Sequence, residues 1–146
     1  DGSYLAEFLL EKGYEVHGLV RRSEFENPRV LCPNISHLIG KITLHSASLE
    51  NKESLMVIVD LIKPDECYHF AAQSFVDPSP EEITGTLRTN VEGTLFLLEA
   101  INRKAPRCKF YFSGSSEMFG NAEKSPQNEE TPYRPRNDYG LSKMAA

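Results

Sequence analysis

Residues 52–74 read KESLMVIVDLIKPDECYHFAAQS, and the change of period inside this stretch decides the fold. Leu55, Val59 and Ile62 recur at helical spacing, so residues 52–62 read as an amphipathic helix. Lys63-Pro64 stops it, because proline has no N–H to donate and its ring disfavours helical geometry in the residue before it. Glu66 to Phe70 then forms a short, largely apolar run that reads as a buried strand, and Ala71-Ala72-Gln73-Ser74 follows with small side chains.

Working outward, the same alternation repeats. Upstream, Leu5, Phe8 and Leu9 are helically spaced after Ser3, an N-cap type, and Gly13 stands where a left-handed stop belongs. Residues 15–20 read as a strand, residues 24–41 as mostly loop with room for a short helix, and residues 42–45 as a second strand. Downstream, residues 80–104 read as a long helical region bent near Gly85, with Val91, Leu95, Leu98 and Ile101 as its core face. Lys109 to Phe112 is a further buried strand, residues 121–135 with three prolines read as surface loop, and a last helix starts near 136–138. Strand and helix alternate throughout, which implies an α/β fold with a parallel sheet covered on both faces. Ligands in such folds bind at the carboxyl ends of strands. The residues to inspect are those directly after Val20, Phe70 and Phe112.

Bulk properties narrow the function class. A chain of 146 residues suits one domain, and its net charge of −5 gives no attraction to nucleic acid or an anionic membrane surface. No apolar run reaches the length of a membrane span, and no secretion signal is visible. Cys32, Cys67 and Cys108 are odd in number and widely spaced, which suits neither a disulfide framework nor a metal site. A reducing cytoplasm and no bound metal are the expectations.

Four segments carry chemistry. Arg21-Arg22-Ser23 follows a strand where a dinucleotide fold meets the adenosine ribose, and it lacks the acid that would hold a 2′-hydroxyl. Two arginines there favour the 2′-phosphate of NADP, although a solvated basic loop would look the same. Ala71, Ala72, Gln73 and Ser74 let a dinucleotide lie against a strand end, or simply allow tight strand-to-helix packing. Ser113-Gly114-Ser115-Ser116-Glu117 sets hydroxyls and one carboxylate at a third strand end, either as substrate contacts or as a polar turn. Tyr139 and Lys143 lie four residues apart on one helical face. A lysine ammonium beside a tyrosine stabilises the phenolate and so makes the tyrosine a usable base. A Tyr-x-x-x-Lys match is weak alone and strong after a hydroxyl-bearing strand end in a dinucleotide fold.

The runs Asp1 to Leu10, Gly13 to Gly18, Arg21-Arg22-Ser23, Ala71 to Val76, Gly93-Thr94-Leu95, Ser115 to Gly120, Pro126 to Glu129 and Tyr139 to Lys143 together resemble the GDP-mannose 4,6-dehydratase family of extended short-chain dehydrogenases. The resemblance covers nearly the whole chain. It implies a Rossmann-type doubly wound parallel sheet, with residues 1–146 a partial NADP-binding domain. It also implies that the first strand, the glycine-rich turn and a C-terminal substrate domain lie outside these residues, and that this polypeptide alone would be poorly folded and inactive. Activity then belongs to a cytoplasmic homo-oligomer, a dimer or tetramer acting on GDP-mannose.

By the same resemblance, Tyr139 deprotonates the C4 hydroxyl, Lys143 supports it and holds the nicotinamide ribose, Ser115 bonds the C4 oxygen, and Glu117 removes the C5 proton. Gly2 matches the third glycine of the turn, and Ser48-Leu49 stands where the family has an Asp-Leu that meets adenine. Three departures stand out: Ser115 replaces the usual Thr, Ser48 replaces that Asp, and residues 77–87 with Asp77-Pro78-Ser79-Pro80 leave the family pattern. Competing readings are another nucleotide-sugar dehydratase, epimerase or reductase, and a catalytically silent nucleotide-binding module. Glu117 favours dehydration, because epimerases and simple reductases need no carboxylate aimed at C5.

Overall fold

A computed structural model describes residues 1–74 and 80–146; residues 75–79, with the Asp77-Pro78-Ser79 departure, lie outside the described residues. The contacts group into two units, Asp1–Ser48 and Leu49–Ala146.

In the first unit, α1 (Gly2–Glu11) ends as Gly13 turns to φ 81°. Gly13 N–H then reaches the Leu10 carbonyl and Tyr14 N–H the Leu9 carbonyl, both at 3.0 Å. That pair of bonds is a Schellman motif, and it satisfies carbonyls the helix would otherwise leave open. β1 (His17–Val20) lies parallel to β2 (Thr43–Ser46), with His17 opposite Thr43 and Val20 opposite Ser46. The connection between them is more helical than the sequence suggests. It holds α2 (Arg22–Glu26), α3 (Pro28–Leu31) and a 3-10 helix (Pro33–Leu38), whose Leu38 is buried. Pro28 explains the second helix start, since a proline's missing N–H costs nothing in a first turn.

In the second unit, α4 (Lys52–Ile62) begins at Asn51, whose side chain accepts from Ser54 N–H at 2.8 Å, and ends at Lys63 in the left-handed region (φ 48°) just before Pro64. Its inner face, Leu55, Ile58 and Val59, meets Leu97, Ala100 and Ile101 of α6 (Gly93–Lys104) in the core. Burying each large side chain of this kind stabilises the fold by roughly 1.5–3 kcal/mol. β3 (Glu66–His69) runs parallel to β4 (Lys109–Phe112), with Cys67 opposite Phe110 and His69 opposite Phe112. Among the described residues each sheet has two strands.

The long helical region departs from expectation. It consists of α5 (Pro80–Leu87), a wide π-turn at Arg88–Glu92 and then α6, so the irregularity falls after Gly85. The expected core face is also rotated: Thr94, Leu97, Ala100 and Ile101 are buried, whereas Leu95 is 59% and Leu98 37% exposed. Two causes combine. Residues 95–98 are apolar on every side, so period alone does not choose a face, and the π-turn breaks the phase carried over from Val91. The segment 121–135 contains no helix or strand, as expected, and α7 (Asp138–Ala145) follows it. Among the described residues no helix is long and apolar enough to cross a membrane.

Because β3 and β4 are parallel, their carboxyl ends emerge side by side, and Ser113 N–H still reaches the His69 carbonyl at 3.1 Å. The segments 70–74 and 113–117 therefore leave the sheet at one end.

Candidate active site

Beyond β4, Ser115 is extended (φ −151°, ψ 147°) and caps a single 3-10 turn, Ser116–Met118. Its Oγ accepts from Glu117 N–H at 3.2 Å. This cap fixes where the Glu117 side chain leaves the backbone, and Asn137 fixes where it ends: Asn137 Nδ2 donates to Glu117 Oε2 at 2.6 Å. The other half of the Asn137 amide serves α7, with Oδ1 accepting from Gly140 N–H at 2.7 Å as a helix cap. Gly140 is required here for space. A Cβ on it would stand 2.5 Å from the Glu117 carbonyl oxygen. The first turn of α7 thus rests directly on the backbone of Glu117.

Tyr139 is half-buried and Lys143 only 3% exposed, one turn apart on α7. Lys143 Nζ sits 4.4 Å from the centroid of the Phe112 ring, a cation–π contact at the end of β4. Among the described residues no carboxylate comes within 4 Å of it, and burial lowers its pKa from the usual lysine value. A buried ammonium favours any anion that forms beside it, which is the electrostatic condition a tyrosinate base needs. His69 ends β3, is 4% exposed, and is pushed down to about 4, first by burial and then by the Lys143 charge. It is therefore a neutral imidazole at physiological pH.

The strand-exit segment Ala71-Ala72-Gln73-Ser74 is open on its outer side: Ala71, Gln73 and Ser74 are exposed. Its inner side is held by Asn90, which is 2% exposed on the π-turn. Asn90 Oδ1 accepts from Gln73 N–H at 2.7 Å, and Nδ2 donates to the Gln73 carbonyl at 2.9 Å and to Ser142 Oγ at 2.8 Å. Leu49 is half-buried against the start of α6, where a Cβ on Gly93 would come within 2.7 Å of the Leu49 Cβ.

The structure thus brings Ser115, Glu117, Tyr139, Lys143, Leu49 and Ala71–Ser74 into one unit. Gly2, Arg21, Arg22, Ser23 and Ser48 all lie in the other, and all are exposed. Arg21 is occupied there: it bonds Glu24 at 2.5 Å and holds that carboxyl below its ordinary range, while Arg22 pairs with Glu26 at 3.3 Å. Both pairs are solvated, where ion pairs are weak and a phosphate competes well with a carboxylate. Sequence reasoning missed Asn90, Asn137, Gly140, Ser142 and His69. Asn137 carried a usable signal, a cap-type residue just before a helix. A lone Asn inside a helical pattern, such as Asn90, carried none.

A family model described as GDP-mannose 4,6 dehydratase matches residues 1–146. GDP-mannose 4,6 dehydratase 2 of Arabidopsis thaliana is 47% identical over 154 residues, which cover 100% of this chain and 41% of that protein. GDP-mannose 4,6-dehydratase of Vibrio cholerae is 43% identical over 153 residues, with the same coverage of 100% and 41%. The chain therefore spans about two fifths of the length of the curated relatives it matches. Among solved structures, a UDP-glucose 4-epimerase of Thermus thermophilus, in complex with NAD, superposes with a TM-score of 0.78 at 26% identity, covering 99% of this chain and 44% of that one. The fold is the Rossmann-type α/β fold expected from the alternation of helices and parallel strands.

Proposed function

Because the chain belongs to the GDP-mannose 4,6-dehydratase family, we propose that it supplies the dinucleotide-binding and catalytic segments of an enzyme that converts GDP-mannose to GDP-4-keto-6-deoxymannose with loss of water. The observation that carries this reading is the fixed carboxylate. Glu117 is clamped by Asn137 on the same turn as Ser115 and against the helix that bears Tyr139 and Lys143. A 4-epimerase or simple ketoreductase has work for the hydroxyl, the Tyr and the Lys, but none for a carboxylate held in that position.

The roles follow from the chemistry of each side chain. Tyr139 takes the proton of the C4 hydroxyl, and the buried charge of Lys143 favours the phenolate. Ser115, a hydroxyl at the strand end, bonds the C4 oxygen as it becomes a carbonyl. Glu117 removes the C5 proton, made acidic by that carbonyl, and delivers it to the C6 hydroxyl, which departs as water. The proton that Tyr139 took from the C4 hydroxyl balances the one that C5 regains. The residues fit a nicotinamide dinucleotide: Ala71 and Ala72 present small side chains beside a Gln73 backbone already fixed from within, and Lys143 offers a cation to the nicotinamide ribose. When bound, that cofactor would supply reversible hydride transfer between C4 and C6. The solved relative in complex with NAD supports a nicotinamide cofactor in general. The choice of NADP rests on Arg21 and Arg22, with Ser23 beside them and no acid directly after Val20. The family resemblance carries with it a cytoplasmic homo-oligomer.

Incubating the full-length protein with GDP-mannose and NADP⁺ tests the proposal. A 4-keto-6-deoxy product is expected, and Glu117→Gln should abolish it. A product that keeps its C6 hydroxyl would put an epimerase or reductase in place of the dehydratase.

A further inference from the structure

Beneath the Lys143 ammonium lies a floor of rings. Phe110 and Phe112 are two residues apart on β4, so their side chains share one face of the strand, while Tyr111 between them turns to the other face and is exposed. His69, opposite Phe112 on β3, joins the floor, its ring centroid 6.1 Å from that of Phe110 and 5.8 Å from that of Phe112. Lys143 Nζ stands over the Phe112 ring, 4.4 Å from its centroid. The helix can bring it there because Gly140, three residues earlier, lets α7 rest on the Glu117 backbone.

The charged groups around α7 are otherwise engaged. Glu117, on the 3-10 turn packed against α7, accepts from Asn137 at 2.6 Å. Arg88 and Glu92, on the π-turn, are exposed and pair with each other at 3.4 Å. Thr84 to Leu87, the described side chains of α5, include no ionisable group. On α7 itself stand Asp138, in the first turn, and Tyr139. From β3, His69 faces the ammonium as a neutral ring. Thr94 gives its hydroxyl proton to the Asn90 carbonyl at 2.6 Å, so His69 Nε2 donates to Thr94 Oγ1 across 3.0 Å, which fixes the Nε2–H tautomer. Among the described residues no carboxylate comes within 4 Å of Lys143 Nζ, and the ring face of Phe112 is what meets it.

We propose that Phe112 is a positioning residue for the dehydration: the π-face of its ring, standing where a carboxylate would otherwise be needed, steadies the buried Lys143 ammonium at the end of β4. This rests on the roles of Lys143 and Tyr139 given above. The choice of a ring has a physical reason. A carboxylate at that place would cancel the charge as Tyr139 experiences it, and the phenolate would lose its support. An aromatic quadrupole attracts the cation, more strongly where water is excluded, yet leaves its full charge available to an anion that forms nearby. Phe112 acts through Lys143 and touches none of the reacting atoms.

Fluorination drains the π-face of a ring while nearly preserving its shape, so it separates attraction from packing. In the full-length enzyme, Phe112 would be replaced in turn by mono-, tri- and pentafluorophenylalanine, and by leucine. Two quantities are followed: the Lys143 titration, by NMR of lysine labelled at Cε and assigned with Lys143→Arg, and the pH–kcat profile. Each added set of fluorines should lower the Lys143 midpoint further, because the ammonium loses stabilisation, and the alkaline limb of the profile should follow in the same order. Phe112→Leu keeps the place apolar without a π-face, and its kcat at neutral pH should fall about tenfold. A fluorinated series that leaves either quantity flat overturns the proposal. That includes the case in which only Phe112→Leu loses activity, since the ring would then do no more than fill space. Should Phe112→Leu fail to fold, the fluorinated series decides by the same criteria. Failure of the dehydratase reading would appear separately, as wild-type enzyme that forms no 4-keto-6-deoxy product. The Lys143 titration would then still test the ring contact.

Discussion

Asn137 donates to the Glu117 carboxylate across 2.6 Å while the other atom of the same amide caps the helix that carries Tyr139. One side chain thereby holds the proposed C5 base and the proposed C4 base to a common point. Asn137→Asp separates the two duties. Asp caps as well as Asn, so the cap itself should hold to within about 0.5 kcal/mol. The donor to Glu117 becomes a second carboxylate, and like charges at that distance raise the pKa of the pair. Dehydration at neutral pH should fall at least about tenfold, and the acidic limb of the pH–kcat profile should move upward. A profile that stays in place would show that Asn137 serves only as a cap.

Gly140→Ala should be harmful although alanine is the better helix former. Its Cβ would lie 2.5 Å from the Glu117 carbonyl oxygen, so α7 must lift off the 3-10 turn. Overpacking of this kind costs about 1–3 kcal/mol, more than the roughly 1 kcal/mol gained in helix propensity. Thermal melts of the full-length variant should show a lowered Tm, with a larger proportional loss in kcat than in substrate affinity.

His69 makes stability fall in mild acid. Its folded pKa is about 4, below the roughly 6.5 of an unfolded histidine, so between those values the unfolded chain binds the extra proton. The contribution is complete above about pH 6.5, and it is lost progressively as pH drops toward 4. His69→Gln keeps a donor toward Thr94 and removes the titration. Chemical denaturation of the full-length protein across this window should therefore show a shallower pH slope for the variant; equal slopes would contradict the assignment.

His17 and His45 form a histidine contact between neighbouring strands. His17 Nδ1 and His45 Nε2 are 2.9 Å apart, and the ring centroids 5.2 Å. The second distance is about the first plus the two ring radii, so the imidazoles meet end to end through one N–H···N bond and do not stack. Glu15 holds the far nitrogen of His17 at 3.2 Å. The charged groups on α2, the helix packed on β2, are Arg22, Glu24 and Glu26. Burial and the neighbouring His17 lower the His45 pKa, so the contribution of His45 is also present above the unfolded value and is lost as pH falls. Imidazole NMR titration of the full-length protein should find His45 protonating below an ordinary histidine, and a normal midpoint would refute the shared bond.

The parts of the fold legible beforehand were those with one strong local cause. Pro64 and the spacing of Leu55, Val59 and Ile62 gave α4 its observed bounds, and the apolar run Lys109–Phe112 became β4. The short helices after β1 were hidden, because the Arg21–Glu24 pair at the start of α2 looks like loop chemistry when no partner is known. The face of α6 was misjudged because an all-apolar run has no readable phase. In the site, hydroxyl, carboxylate, tyrosine and lysine were recognisable by type and spacing. The two asparagines that hold them act through tertiary contacts, over 17 residues from Asn90 to Gln73 and 20 from Asn137 to Glu117, and nothing local announces such pairs.

The π-turn at Arg88–Glu92 also bears on how this stretch of chain can evolve. Its widened bond, Gly93 N–H to the Arg88 carbonyl, spends one residue more than a regular helix would. Deleting a single residue there would give a more regular helix, yet it would swing everything beyond the deletion, or Asn90 itself, by about 100°. Selection acting on helix quality and selection acting on the site would then pull in opposite directions. What this stretch must conserve is its residue count, and a gap that looks harmless in a helix would be lethal to the register it keeps.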